Sequence, residues 1–190
     1  VLYFHGNRQN INRYAPNATH FTRNNFEVWM IDYPGFGKST GKRSEKILYE
    51  DALSFYKMAI SKVAADSIII YGKSIGTGIA AQLASVRDCK QLILETPYYS
   101  MDALAKKYFF IFPVVPMTKY SLPTCRYFEF IKAPVTIFHG TKDGVIPYKH
   151  AKWLAGIKPG TELVTIEKGR HNNLADFPFF HEKLDAALKK

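Results

Sequence analysis

Cysteine is scarce in this chain: only Cys89 and Cys125 occur among 190 residues. Two thiols build no disulfide framework, and none of the histidines stands at metal-ligand spacing from a partner. No metal site is therefore expected. A reducing, cytoplasmic compartment is the default expectation, with an upstream anchor or signal left open. Long apolar runs are missing too. The longest, Tyr108-Phe109-Phe110-Ile111-Phe112, is stopped by Pro113 and Pro116, far short of the ~18 residues that cross a bilayer. Internal repeats and low-complexity tracts are absent from the sequence.

Charge is plentiful but thinly spread. The formal net charge is +10, carried by residues such as Arg8, Arg13, Arg23, Lys38, Lys42, Lys106 and Lys189 with no dense tract. No reading motif accompanies that charge, so nucleic acid is not an expected partner. A solvated surface is the plain reading, and peripheral contact with an anionic membrane or substrate is the next. A composition of 47% hydrophobic and 22% charged residues suits a single domain over residues 1–190.

Short apolar runs alternate with helix-like stretches from end to end. The strand candidates are Val1–His5, Glu27–Asp32, Ser67–Tyr71, Gln91–Glu95, Val135–His139 and Glu162–Ile166. They read as strands buried on both faces of a parallel sheet. The clearest helix is Ser44–Val63: Ser44 caps it, and Leu48, Ala52, Phe55 and Ala59 share one face. Another starts near Asn173 and carries Phe180, Leu184 and Leu188. The alternation predicts an α/β fold with a doubly wound, mostly parallel sheet. Residues 97–132 break the rhythm with ten aromatic residues and three prolines between Tyr98 and Phe130. A connection of that length is usually functional, and this one follows a strand end. It is expected to be an aromatic lid-like insertion over a pocket; the other reading is a helical excursion that only packs on the core.

The most informative motif is Gly72-Lys73-Ser74-Ile75-Gly76, set between the run Ser67–Tyr71 and the helix-like Thr77–Ala84. A serine between two glycines at a strand-to-helix junction is the nucleophile elbow. Its sharp turn strains the serine backbone and lifts the hydroxyl clear of the sheet, and the glycines avoid collisions with the neighbouring strand and helix. Gly37-Lys38-Ser39 and Gly72-Lys73-Ser74 also resemble the end of a phosphate-binding loop. That loop needs a further glycine where Asp32 and Ser67 stand, so both fail.

A serine hydroxyl needs a base to take its proton and an acid to orient that base. Asp143 follows the strand Val135–His139 in the turn Gly140-Thr141-Lys142-Asp143-Gly144, and His171 follows the last strand in Gly169-Arg170-His171-Asn172. Ser74, Asp143 and His171 thus stand in the chain order nucleophile, acid, histidine. Asp102 is a second candidate acid; Glu167 lies too near the histidine loop. His5 and His139 read as turn or supporting histidines, and His20, His150 and His181 as surface residues on helices. An oxyanion needs two aimed donors. The backbone N–H groups of Ile75, after the nucleophile, and of Asn7, in the loop His5-Gly6-Asn7, are the candidates. His5, Tyr98 and Tyr99 are the candidate pocket residues.

Five stretches together resemble the α/β-hydrolase superfamily over nearly the whole chain. They are His5-Gly6-Asn7, the run from Asp32 to Ser39, Gly72-Lys73-Ser74-Ile75-Gly76, the run from His139 to Asp143, and Gly169-Arg170-His171-Asn172. The added string from Gly41 to Lys46 is similar to the branch of membrane-anchored abhydrolase-domain serine hydrolases and depalmitoylating thioesterases. The resemblance implies the same triad, the same oxyanion donors and no cofactor. Superfamily members usually carry an antiparallel hairpin ahead of the strand at which this chain opens. Glu27–Asp32 is therefore expected to form an open edge, covered by a homodimer partner or by more of a longer protein.

The function expected is cleavage of a carboxylic ester or thioester in a small or lipid-like acyl substrate through an acyl-enzyme. A non-catalytic scaffold of the same fold, or a truncated fragment, is the alternative. Epoxide hydrolases and dehalogenases place an aspartate where Ser74 stands, and peptidases with a similar elbow carry a large cap or propeller.

Overall fold

Alternating side chains sort onto the two faces of one sheet, and each face is closed by helices. The computed structural model of the chain describes residues 1–7, 10–108 and 120–190. In chain order its elements are β1 (Leu2–Phe4), α1 (Ile11–Tyr14), α2 (Thr19–Thr22), β2 (Trp29–Met30), α3 (Glu45–Ile60), β3 (Ile69–Lys73) and α4 (Gly76–Val86). Then follow β4 (Gln91–Glu95), α5 (Met101–Tyr108), α6 (Thr124–Phe128), β5 (Val135–Gly140), α7 (Lys149–Ile157), β6 (Glu162–Ile166) and α8 (Pro178–Leu188).

The strands form one sheet in the order β2-β1-β3-β4-β5-β6, and every pairing is parallel. Period-two alternation decides which face each residue meets. Phe4, Ile70, Leu92, Leu94 and Ile137 pack with residues of α3, α4, α6 and α7. Tyr3, Ile69, Tyr71, Ile93 and Phe138 pack with residues of α1, α2 and α8 on the other face. This is the doubly wound α/β architecture expected. Strand order reverses between β1 and β3, so the crevice of the switch point opens where the Gly6-Asn7 loop and Ser74 lie.

The helices obey their sequence signals. Ser44 caps α3, its Oγ accepting the Ile47 N–H at 3.2 Å, and Leu48, Ala52, Phe55 and Ala59 are all buried. Helix α8 begins at Pro178, later than expected, because a 3₁₀ turn over Leu174–Asp176 takes up the chain first. Phe180, Leu184 and Leu188 are buried as the spacing predicts.

Three placements differ from expectation. The strand foreseen over Glu27–Asp32 shortens to Trp29–Met30, since it pairs on one side only, with Leu2 and Tyr3. His150 is buried, not on the surface, and its Nδ1 accepts the Tyr99 N–H at 3.2 Å. His20 and His181 are half-buried and lie 5.0 Å apart, ring to ring.

Within residues 97–132, Phe109, Phe110, Phe112, Pro113 and Pro116 lie outside the described residues. Of the remainder, α6 buries Thr124 and Phe128 against the core, in contact with α4. Tyr98, Leu122 and Ile146 form a small cluster of their own, with Met101 and Leu104 packed on it. Among the described residues no helix is long and apolar enough to cross a membrane.

Candidate active site

Ser74 sits at the exit of β3 with φ +53°, in the left-handed region that costs a non-glycine residue about 1–3 kcal/mol. Its surroundings hold that strain in place. The Ser74 N–H donates to the Glu95 carbonyl at 2.9 Å, and the Thr77 N–H and hydroxyl both donate to the Ser74 carbonyl, at 3.0 and 2.6 Å. The Tyr98 hydroxyl donates to the Ile75 carbonyl at 3.1 Å. A methyl group on Gly76 would fall 2.1 Å from the Phe4 carbonyl oxygen, so α4 starts directly against the end of β1.

Asp143 lies just past β5. Its Oδ1 accepts the N–H groups of Val145 and Ile146 at 2.9 and 2.8 Å. Its Oδ2 lies 2.8 Å from His171 Nδ1, and 3.3 Å from His139 Nε2. Burial pushes the Asp143 carboxyl up, but hydrogen bonds from His139 and His171, the His171 charge and the Ile146 N–H together hold it well below the usual carboxylate range. The two loops are stitched together, because the Lys142 N–H donates to the Gly169 carbonyl at 2.9 Å. His171 Nε2 stands 3.0 Å from Ser74 Oγ. With the Nδ1 proton directed at the carboxylate, Nε2 is left to accept the serine proton.

Ser74, Ile75, His171 and Asn172 line a cavity of about 300 Å³ together with Gly6 and Asn7. Its apolar walls are Tyr98, Met101, Leu104, Val145 and Ile146; its polar ones include Tyr14 and Lys73. Lys73 is paired there: its Nζ donates to Glu95 Oε1, and the Tyr71 hydroxyl donates to Glu95 Oε2. A broader depression of about 590 Å³ lies next to this cavity and shares Asn7 with it, but contains none of Ser74, Asp143 and His171.

The structure thus brings Ser74, Asp143, His171, Asn7, Ile75 and Tyr98 to one place. It does not bring His5 or Tyr99. His5 is fully buried behind the loop, its Nδ1 2.8 Å from the Gly6 carbonyl and its ring stacked 4.4 Å from that of Tyr33. Burial lowers its basicity most, although the Gly6 carbonyl and Asp32 oppose that. Tyr99 turns away to pack edge-on against Trp153 at 5.7 Å. Asp102 accepts from the Ser121 hydroxyl at 3.4 Å, and Glu167 from the Thr141 hydroxyl at 3.3 Å; neither pairs with His171. Among the described residues no three metal-ligating side chains gather into a site.

The pocket side chains Tyr14, Met101, Leu104, Val145 and Ile146 escaped sequence reasoning. Helix α1 has four residues, too few to show a period, and only its capping Asn10, which accepts the Asn12 N–H at 3.1 Å, could have announced it.

A family model described as "Serine aminopeptidase, S33" matches residues 1–127. The chain belongs to the family of that model, within the α/β-hydrolase superfamily. Among the proteins it is similar to is alpha/beta hydrolase domain-containing protein 17C of Xenopus tropicalis. The two are 32% identical over 190 residues, a match covering 97% of this chain and 59% of the relative. The chain therefore spans less than two thirds of that relative's length. Among solved structures, the α/β-hydrolase fold is shared with a monoacylglycerol lipase of Paleococcus ferrophilus. That likeness has a TM-score of 0.72 and 21% identity, over 99% of this chain and 91% of the lipase. It is shared too with the esterase Pf2001 of Pyrococcus furiosus, at TM-score 0.78 and 20% identity, over 99% of this chain and 80% of the esterase. Likeness at these identities speaks to the fold.

Proposed function

We propose that this α/β-hydrolase cleaves carboxylic ester or thioester bonds of an acyl substrate, with Ser74 as nucleophile, His171 as base and Asp143 as the acid that orients it. The observation that carries the reading is the unbroken hydrogen-bonded line from Asp143 Oδ2 through His171 to Ser74 Oγ, at 2.8 and 3.0 Å. A merely structural serine has no use for a positive φ at the mouth of a cavity.

In the first half-reaction Ser74 Oγ bonds to the substrate carbonyl carbon while its proton passes to His171 Nε2. The negative charge gathered on the carbonyl oxygen is met by the N–H groups of Ile75 and Asn7. Collapse breaks the bond to the alcohol or thiol, which leaves with the proton from His171. Water then attacks the acyl-serine and gives one proton to His171. The bond to Ser74 breaks, Oγ takes that proton back, and the carboxylic acid departs. Asp143 stays ionised throughout, and its lowered proton affinity suits that task. The apolar walls formed by Met101, Leu104, Val145 and Ile146 suit the acyl group of the substrate.

Hydrolysis of p-nitrophenyl esters from acetyl to palmitoyl, wild type beside Ser74→Ala, tests the reading. Turnover that disappears in the variant supports it, and the preferred chain length sizes the acyl site. A folded wild type inert towards every ester and thioester would favour a non-catalytic scaffold.

A further inference from the structure

The geometry points to Tyr14 as a third oxyanion donor: a side-chain hydroxyl that joins the N–H groups of Asn7 and Ile75 around the carbonyl oxygen of the substrate. The inference rests on the serine-hydrolase reading and extends it to a residue that no sequence motif marks.

Three observations carry it. The first is position. A methyl group placed on Gly6 would lie 2.7 Å from the Tyr14 hydroxyl and 3.5 Å from the Ser74 Cβ. The phenol and the nucleophile therefore flank the same point on the loop, one residue before Asn7. Tyr14 also lines the cavity that holds Ser74, Ile75 and His171.

The second is fixation. Tyr14 is only 9% exposed, and its ring is stacked on that of His5 at 5.1 Å with an interplanar angle of 23°. His5 is itself tied to the Gly6 carbonyl through Nδ1. One buried imidazole thus braces both the backbone of the oxyanion loop and the phenol beside it. A donor held this way needs no reorganisation when charge develops, which is the condition for it to stabilise a transition state.

The third is an unspent hydrogen bond. Among the described residues no group partners the Tyr14 hydroxyl. The buried phenols nearby are engaged: Tyr33 donates to the His5 carbonyl, Tyr71 to Glu95 and Tyr98 to Ile75. A phenol buried for packing alone usually finds a partner. The one on Tyr14 faces the cavity instead. Gly6 fits the same account, because a side chain there would push the hydroxyl away from Ser74.

The test is Tyr14→Phe, which keeps the ring and its stack on His5 and removes only the donor. The expected result is a kcat about 10- to 100-fold lower with KM within about twofold of wild type, since the contact forms mainly in the transition state. Affinity for an alkyl boronic acid, whose tetrahedral adduct mimics the intermediate, should fall by a similar factor. The melting temperature should stay near that of wild type. The loss should be equal for a p-nitrophenyl and an ethyl ester of the same acid. A loss confined to the ethyl ester would place the phenol on the leaving group and overturn the oxyanion role. Unchanged kcat in Tyr14→Phe, with an active wild type, overturns the proposal while leaving the serine-hydrolase reading intact. A wild type with no esterase activity and no fluorophosphonate adduct on Ser74 overturns both.

Discussion

Gly76 and the Phe4 carbonyl are separated by too little space for a methyl group, which would stand 2.1 Å from the oxygen. The collision is with backbone, so no rotamer change relieves it. Gly76→Ala is expected to destabilise the fold by about 3 kcal/mol or more, lowering the melting temperature by roughly 10 °C. Calorimetry or thermal circular dichroism measures this directly. A variant as stable as wild type would mean that α4 does not start against β1.

Asp143 is tied more fully than its two partners in the line to Ser74, with both oxygens occupied. Asp143→Asn keeps the size of the side chain but presents an N–H or a carbonyl where a carboxylate is needed, so His171 loses its orientation and charge balance. Esterase kcat should fall by about 10³-fold or more, with the protein still folded. Steady-state kinetics checks it, and a loss below tenfold would remove Asp143 from the mechanism.

The same carboxyl sets a sign for acid stability. Its proton affinity is lowered in the folded state, so ionised Asp143 favours folding above the ordinary carboxylate range. That contribution fades as the pH falls, between about pH 5 and pH 2. Urea midpoints measured across this range should drop for wild type and drop less steeply for Asp143→Asn. Parallel slopes would show that the native carboxyl is not perturbed.

Much of this was legible in the chain, and the misses have physical causes. Ser74, Asp143 and His171 could be placed because each follows a strand in a glycine-bearing turn, a pattern that survives without any knowledge of packing. Leu48, Ala52, Phe55 and Ala59 betrayed the buried face of α3 by spacing alone. His5 and Tyr99 were misplaced because neighbours along a chain diverge in space. Tyr98 turns into the cavity while Tyr99, the next residue, packs on Trp153. His150 looked like a surface histidine, yet helix α7 turns it inward to the Tyr99 N–H. Tyr14 was invisible because a four-residue helix has no periodicity to read.

Lys73, next to the nucleophile in the chain, and Glu95 form a nearly dry ion pair, with side chains 11% and 4% exposed. Lys73→Met leaves the buried Glu95 carboxylate without its cation, though still accepting from Tyr71, and should cost about 3 kcal/mol in chemical denaturation. Replacing both, as Lys73→Met with Glu95→Leu, should recover most of that loss. If the single variant loses nothing, water reaches the pair.

The central claim is that Ser74 is an activated nucleophile, and mass spectrometry after treatment with a fluorophosphonate tests it most directly. The account predicts one covalent adduct per chain, located on the peptide carrying Ser74, abolished in Ser74→Ala and strongly slowed in His171→Ala. An unlabelled folded wild type, or an adduct that persists in Ser74→Ala, would contradict it.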